Sequence, residues 1–254
     1  MAIPLSVEIA VQDAAGVRVA LEAGAARVEL CQALGVGGLT PSAGLIASAV
    51  ERAAAASARS FVHVLVRPRG GGFVYDEDEL ELIMRDIRVA RSLGASGVVV
   101  GALTDAGALD LGAITAFVDA ADGLDVTVHR AVDAASDPVA AVAALAGSGV
   151  RRVLTSGGAV DCRTGRDAIA RMVSEAAGAV EVMAGGGVDV GDIQMLATAG
   201  VDAVHLSARF RASHGGSSGP GGGEAGFDVT DARVVRAAIA AAGGPTPSAG
   251  SATR

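Results

Sequence analysis

Short apolar runs rich in β-branched residues alternate along the chain with longer, alanine-rich segments whose apolar positions follow the helical period. The runs are apolar at successive positions, which is typical of parallel strands buried on both faces. They recur at roughly 20–35 residue intervals, the spacing of repeated strand–helix units. The predicted strands are residues 6–10, 27–31, 61–67, 97–101, 125–129, 151–155, 180–184 and 202–207.

Capping residues predict where several helices begin. Thr40-Pro41 offers an N-cap residue followed by proline at the first helical position, and Asp137-Pro138 repeats this signal. Asp76 precedes three further acidic residues, which favour a first helical turn. Eight strands alternating with eight helices predict a single-domain α/β protein, a (β/α)8 or TIM barrel. A doubly wound open sheet is the alternative, but the segment AVQDAAG after the first strand lacks its glycine-rich fingerprint.

Two segments interrupt the alternation of strands and helices. Residues 212–226 are rich in glycine and serine and predict a mobile loop after the eighth strand. Residues 243–254 have the composition of a disordered tail, which leaves residues 1–242 as the barrel domain.

Composition and charge exclude several classes of partner. The chain of 254 residues has a formal net charge of -8 and only 2% aromatic residues, so we expect no nucleic-acid partner. No apolar run approaches membrane-spanning length, and the first residues lack the basic start of a signal peptide. We therefore expect a cytoplasmic protein without a membrane partner.

Missing residue types also limit the chemistry. All 20 basic residues are arginine, so a lysine Schiff base, a pyridoxal-phosphate linkage and a Walker-A phosphate loop are excluded, and we expect no organic cofactor. The two cysteines, Cys31 and Cys162, are far apart and form no paired motif, which favours reduced thiols.

Polar residues or glycine-rich runs stand at the carboxyl ends of seven of the eight predicted strands, and the fourth ends only in Gly101. This end carries the active site in barrels of this kind. If Glu29, His129 and His205 point inward, a carboxylate and two imidazoles share a small volume suited to acid–base chemistry. The alternative is a set of structural ion pairs, which the clustering at one end disfavours. The candidates for proton transfer are Glu8, Glu29, His129, Asp133 and His205, and those for anion binding are Arg67, Arg69, Arg130, Ser156, Gly185, Gly186, Gly187 and Ser207.

Three other features each allow two interpretations. The run Gly185–Gly187 could present backbone N–H groups to a phosphate or could simply form a tight turn. Cys31 is either a small buried hydrophobe or a functional thiol, which would be a soft ligand for Cu(I) or a reactive group. His63 lies in the third strand, away from the candidate site, and we predict a packing residue with satisfied polar atoms rather than a site residue.

Several motifs together resemble those of the CutC family. They are VELC, GGLTPS, RPRGG, VHRAVD, VLTSG, MAGGGV and HLSAR, and their order and spacing match across residues 3–210. The resemblance implies a cytoplasmic TIM barrel that forms homo-oligomers, acts in copper homeostasis and binds copper. Carried over position by position, it implies functional roles for Glu8, Glu29, Cys31, Arg67, Arg69, His129, Arg130, Asp133, His205 and Ser207.

The chain departs from the family pattern at three positions. Ala10 stands where the family has a cysteine, Val36 replaces an acidic residue and Gly72 replaces an aspartate. Because Cu(I) prefers two or three sulfur ligands, Cys31 alone is a poor site. Two hypotheses stay open: a copper-binding homeostasis protein, or a lyase, isomerase or hydrolase acting on a small anionic substrate. A scaffold without chemistry explains the polar strand ends least well.

Overall fold

The computed structural model describes residues 5–212 and 226–244. Eight parallel strands close into a barrel in the order in which they occur along the chain, with β1 next to β8. The predicted TIM barrel is therefore confirmed. Its strands are β1 Ser6–Val11, β2 Arg27–Leu30, β3 Val62–Leu65, β4 Gly97–Val100, β5 Asp125–Val128, β6 Arg152–Thr155, β7 Glu181–Gly185 and β8 Ala203–Leu206.

Helices cover the outside of the barrel. The Asp137 and Asp76 caps are confirmed, and Asp76 forms a capping box with Glu79. The predicted start at Thr40-Pro41 is two residues early, because Ser42 caps the next helix through Leu45 N. The helices are α1 Ala14–Ala23, α2 Ala43–Ala55, α3 Glu77–Ser92, α4 Leu111–Ala121, α5 Pro138–Ala143, α6 Arg166–Ala176, α7 Ile193–Thr198 and α8 Ala232–Ala241, and short 3-10 helices span Leu34–Val36, Arg130–Ala134 and Val190–Asp192.

The main hydrophobic core lies between the strands and the helices, whereas the barrel interior holds two small apolar clusters. One consists of Cys31, Leu65 and Val99, and the other of Leu154, Met183 and Ala203. Charged and polar side chains lie between them. Strand register places Glu8 beside Arg27 of β2 on one side and His205 of β8 on the other.

An antiparallel hairpin follows β8, formed by β9 Arg209–Ala212 and β10 Phe227–Thr230. The sequence pattern did not predict it, because each strand has only four residues and both flank the glycine-rich segment. Of that predicted loop, residues 213–225 lie outside the described residues, as do residues 245–254 of the predicted tail. Within the described ranges no helix is long and apolar enough to cross a membrane.

Candidate functional site

A cavity of about 340 Å³ opens at the carboxyl ends of the barrel strands. Among the predicted site residues, those that line it are Glu29, Arg67, His129, Arg130, Gly186, Gly187, His205 and Ser207. The other predicted residues, namely Glu8, Cys31, Arg69, Asp133, Ser156 and Gly185, lie below it or around it. The polar residues that the sequence places at one end of the barrel therefore lie in or around a single cavity.

A chain of buried charges supports the cavity from below. Arg27 donates from Nε to Glu8 Oε2 at 2.5 Å, and the other oxygen of Glu8 lies 2.7 Å from His205 Nδ1. Glu8 is fully buried, which by itself raises its pKa, but the hydrogen bond with His205 and the charge of Arg27 hold that pKa far below its usual range. Glu8 is therefore a fixed anion that orients the imidazole of His205.

Glu29 faces His205 from the second strand. His205 Nε2 lies 3.9 Å from Glu29 Oε2, and the Glu29 carboxyl makes no hydrogen bond with any described residue. Burial raises the pKa of Glu29 to about 7; the positive charge of His205 opposes this rise, and the negative charge of Glu8 adds to it. Burial lowers the pKa of His205, but the negative charges of Glu29 and Glu8 outweigh the effect of burial, so the pKa of His205 is raised overall. At neutral pH Glu29 can therefore both take up and release a proton.

His129 stands on the opposite wall as a neutral imidazole. Burial and the neighbouring Arg67 lower its pKa to about 3. Its Nδ1 accepts a hydrogen bond from the backbone of Ala131 at 3.1 Å, so the proton of the neutral ring is assigned to Nε2. Nε2 has no partner among the described residues. The ring of His129 lines the cavity, and its unused N–H donor is buried just behind the cavity surface.

Arg130 and the turn after β7 form a corner of the cavity that is rich in N–H donors. Arg130 donates to Asp133 at 2.8 Å and to Ser156 Oγ at 2.8 Å, which fixes its guanidinium. Gly186 and Gly187 have positive φ angles of 111° and 64°, and a Cβ on Gly186 would meet Arg130 Nη1 at 2.9 Å. Glycine is therefore needed here for both backbone shape and close approach. The amides of the two glycines donate to no acceptor in the described part of the chain, as an anion site requires.

Asp133 holds this corner together rather than facing the cavity. Its carboxylate accepts hydrogen bonds from the hydroxyl of Thr155 and from the backbone amides of Ser156 and Gly158, besides pairing with Arg130. Both Asp133 and Ser156 thus position the guanidinium.

The two arginines after β3 are largely occupied by the protein. Arg67 donates to the carbonyl oxygens of Val36, Gly38 and Gly71, so it ties the loop after β2 to the loop after β3, and only its Nε lacks a partner among the described residues. Arg69 pairs with Glu79 outside the cavity. Their guanidinium groups therefore hold the loops around the cavity in place rather than point into the cavity.

Sequence reasoning missed three residues that line the cavity: Phe73, Asp189 and Arg209. The ring of Phe73 lies 4.9 Å from that of His129 and 5.1 Å from the guanidinium carbon of Arg67. It sits in a loop, beyond the strand ends from which candidates were drawn. Arg209 stands in the HLSAR motif, which was the available signal for it.

The surroundings of Cys31 do not fit Cu(I). The thiol is fully buried among Leu34, Leu65 and Val99, and it lies 3.5 Å from the carbonyl oxygen of Val11. Burial and the nearby Glu29 carboxylate raise the pKa of the thiol, which disfavours the thiolate that binds metal. No group of three or more His, Cys, Asp or Glu side chains within residues 5–212 and 226–244 is arranged to hold a metal ion.

Comparison with known proteins identifies the family. The family model described as the CutC family matches residues 5–210. The chain belongs to the CutC family. A CutC family protein of Xylella fastidiosa (strain 9a5c) is 41% identical over 210 residues, covering 82% of this chain and 77% of the relative. A CutC family protein of Agrobacterium fabrum is 43% identical over 194 residues, covering 76% and 75% of the two chains.

A solved CutC structure from Streptococcus agalactiae also matches. It has a TM-score of 0.75 and 32% sequence identity, and the match covers 80% of this chain and 98% of that one. That protein is named for copper homeostasis. The structural match to a CutC protein agrees with the resemblance drawn from the seven motifs.

Proposed function

We propose that this CutC family protein binds a small anionic metabolite in the carboxyl-terminal cavity and catalyses proton transfer on it. The observation that carries the proposal is Glu29, a buried carboxyl that no other described residue hydrogen-bonds, 3.9 Å from the imidazole that Glu8 orients. A carboxyl whose pKa lies at about 7 is matched to acid–base work at neutral pH.

The anionic group of the substrate, a phosphate or a carboxylate, binds at the corner formed by Arg130, Gly186 and Gly187. This corner follows β7, where phosphate sites of (β/α)8 barrels commonly occur. Glu29 removes or returns a proton on the substrate carbon or oxygen held at the centre of the cavity. The N–H of His129 stabilises negative charge that develops on an adjacent substrate oxygen. Lyase or isomerase chemistry uses these three elements, and a lysine is not required.

The test is a screen followed by an exchange assay. Phosphorylated and carboxylated metabolites are screened by thermal shift, and those that stabilise the protein are incubated in D₂O and examined by NMR for exchange of carbon-bound hydrogen. We expect Glu29→Gln to bind the same compound and lose exchange, and Arg130→Ser to lose binding. Arg18→Ser, an exposed arginine of α1, is the matched control and should do neither. Exchange that persists in Glu29→Gln would contradict the assignment.

Copper handling is the second candidate, favoured by the name of the Streptococcus agalactiae relative. The lone thiol of Cys31 is insufficient for it, so copper would require ligands beyond the described groups or from a second subunit. An anaerobic Cu(I) titration against a chromophoric chelator tests this, with Cys31→Ser and with Cys162→Ser as the control. Stoichiometric binding lost only in Cys31→Ser would support a copper site at that thiol and contradict the fit described above.

We also propose a cytoplasmic, homo-oligomeric protein. Both cysteines are free and buried, which is compatible with a reducing compartment. Exposed apolar side chains such as Phe210 and Val160 offer surface for a second copy. Light scattering after size exclusion measures the mass directly, and a monomer at micromolar concentration would contradict the oligomer.

A further inference from the structure

A second cavity, of about 540 Å³, opens at the opposite, amino-terminal end of the barrel. Its lining includes three buried side chains, Arg27, His63 and Arg152, which are 7%, 1% and 4% exposed. Buried arginine is uncommon unless its charge is compensated. Here the charge of Arg27 is compensated by Glu8 and that of Arg152 by Glu181.

Several polar atoms around this cavity have no partner among the described residues. Both ring nitrogens of His63 and the Nε of Arg152 are buried without a hydrogen bond. The Nη1 of Arg27 also donates to no described acceptor, whereas its Nε pairs with Glu8. The prediction that His63 is a satisfied packing residue is wrong. Buried polar groups are hydrogen-bonded in the great majority of cases, so these atoms point to an absent partner.

The ring of His63 is neutral and fits closely. Burial lowers its pKa to about 4, so at neutral pH one nitrogen donates and the other accepts. A Cβ on Gly97 would lie 2.5 Å from its Nδ1, so the glycine leaves room for the ring.

The N–H donors of the lining favour an anion. Four arginines face three carboxylates: Arg27, Arg59, Arg151 and Arg152 against Asp125, Glu181 and Asp202. Glu181 is shared between Arg151 at 2.7 Å and Arg152 at 2.6 Å, and Asp202 accepts from the amide of Val182. Glu8 offsets the charge of Arg27 from the barrel interior, and Arg152 Nη1 donates to Thr127 Oγ1 at 3.2 Å. The donors left over among the described residues are therefore Arg27 Nη1, Arg152 Nε and one ring nitrogen of His63. Forked N–H groups of this kind match the oxygens of phosphate or carboxylate.

We propose that the amino-terminal cavity binds a small oxyanion, a phosphate or a carboxylate group, between Arg27, Arg152 and His63. The site is separate from the proton-transfer site and lies at the other end of the barrel. The two are connected through Arg27, because its guanidinium holds Glu8 and Glu8 holds His205. An oxyanion that accepts hydrogen bonds from Arg27 competes with Glu8 for that guanidinium. Binding of the oxyanion is therefore coupled to ligand binding in the cavity at the carboxyl ends of the strands, and the coupling is reciprocal.

Calorimetric titration with inorganic phosphate tests the site, with potassium chloride added to match ionic strength. We expect saturable binding that Arg152→Gln weakens about tenfold to 100-fold, the range for lost hydrogen bonds to charged groups. Arg130→Ser, in the upper cavity, removes any phosphate bound there and should leave the lower site unchanged. The two variants therefore separate failure of this proposal from failure of the proposed function.

His63→Leu is the second variant, because it removes unpartnered polar atoms and should fold even if Arg152→Gln does not. A ligand site predicts that His63→Leu loses phosphate binding. A His63→Leu protein that binds phosphate like the unmodified chain would overturn the proposal. So would a titration in which Arg130→Ser alone abolishes all binding.

Discussion

Glu29→Gln should make the protein more stable at alkaline pH, although it removes a candidate catalytic group. Glutamine has nearly the shape of glutamic acid but cannot ionise, and Glu29 has no hydrogen bond to lose among the described residues. Burial raises the pKa of Glu29 from 4.5 to about 7. A tenfold change in proton affinity corresponds to about 1.4 kcal/mol, so ionised Glu29 costs about 3 kcal/mol relative to the unfolded chain.

The sign follows from the raised pKa. The stability that protonated Glu29 contributes is complete below pH 4.5 and is lost as pH rises through about 7. The advantage of Glu29→Gln should therefore be small near pH 4.5 and approach about 3 kcal/mol at pH 8. Removing Glu29 also removes an attraction that raises the pKa of His205, which reduces the gain.

Urea denaturation at several pH values between 4.5 and 9 measures this difference. Glu51→Gln, the same substitution at an exposed position of α2, is the matched control and should show no comparable trend. A Glu29→Gln protein that is less stable at pH 8, or whose advantage is the same at every pH, would refute the assignment of a buried, proton-sharing carboxyl.

Three further substitutions probe the supports of the cavity. Glu8→Ala leaves Arg27 buried without its carboxylate and should cost about 3–5 kcal/mol by urea denaturation, whereas no loss would show that the pair is dispensable. Gly101→Ala places a Cβ 2.7 Å from the ring of His129, so we expect a loss of about 1–3 kcal/mol and shifted imidazole NMR signals; unshifted signals would contradict this. Asp133→Ala leaves several hydrogen-bond donors without their acceptor and should lower the unfolding free energy by at least about 3 kcal/mol. A change below about 1 kcal/mol would contradict the role of Asp133 in positioning Arg130.

The barrel could be predicted from the sequence because its signals are local and repeated. Each buried strand is a short run that contains β-branched residues, and Asp76 and Asp137 cap helices through their own following amides. The hairpin after β8 was missed because its pairing depends on two short strands on either side of a glycine-rich segment. The start of α2 was misplaced because Thr40 and Ser42 are both suitable caps, and contacts elsewhere decide between them: Thr40 Oγ1 instead bonds the backbone of Arg67.

The sequence predicts which residues gather at the site but not the role of each. Strand periodicity brought Glu29, His129 and His205 to one end. It could not show that Arg67 is bound to loop carbonyls, since those contacts cross between two loops. Nor could it show that His63 lines a second cavity, because strand position alone does not reveal unfilled space beside a side chain.

The two cysteines lie on opposite sides of the barrel wall. Cys31 belongs to an apolar cluster inside the barrel, and Cys162 belongs to the core between strands and helices. Neither is accessible in the closed structure, so a thiol reagent can react only when the surrounding layer opens. The chain therefore carries two internal reporters. The labelling rate of Cys162 would measure how often the surrounding helices separate from the strands, and that of Cys31 would measure how often the barrel itself opens.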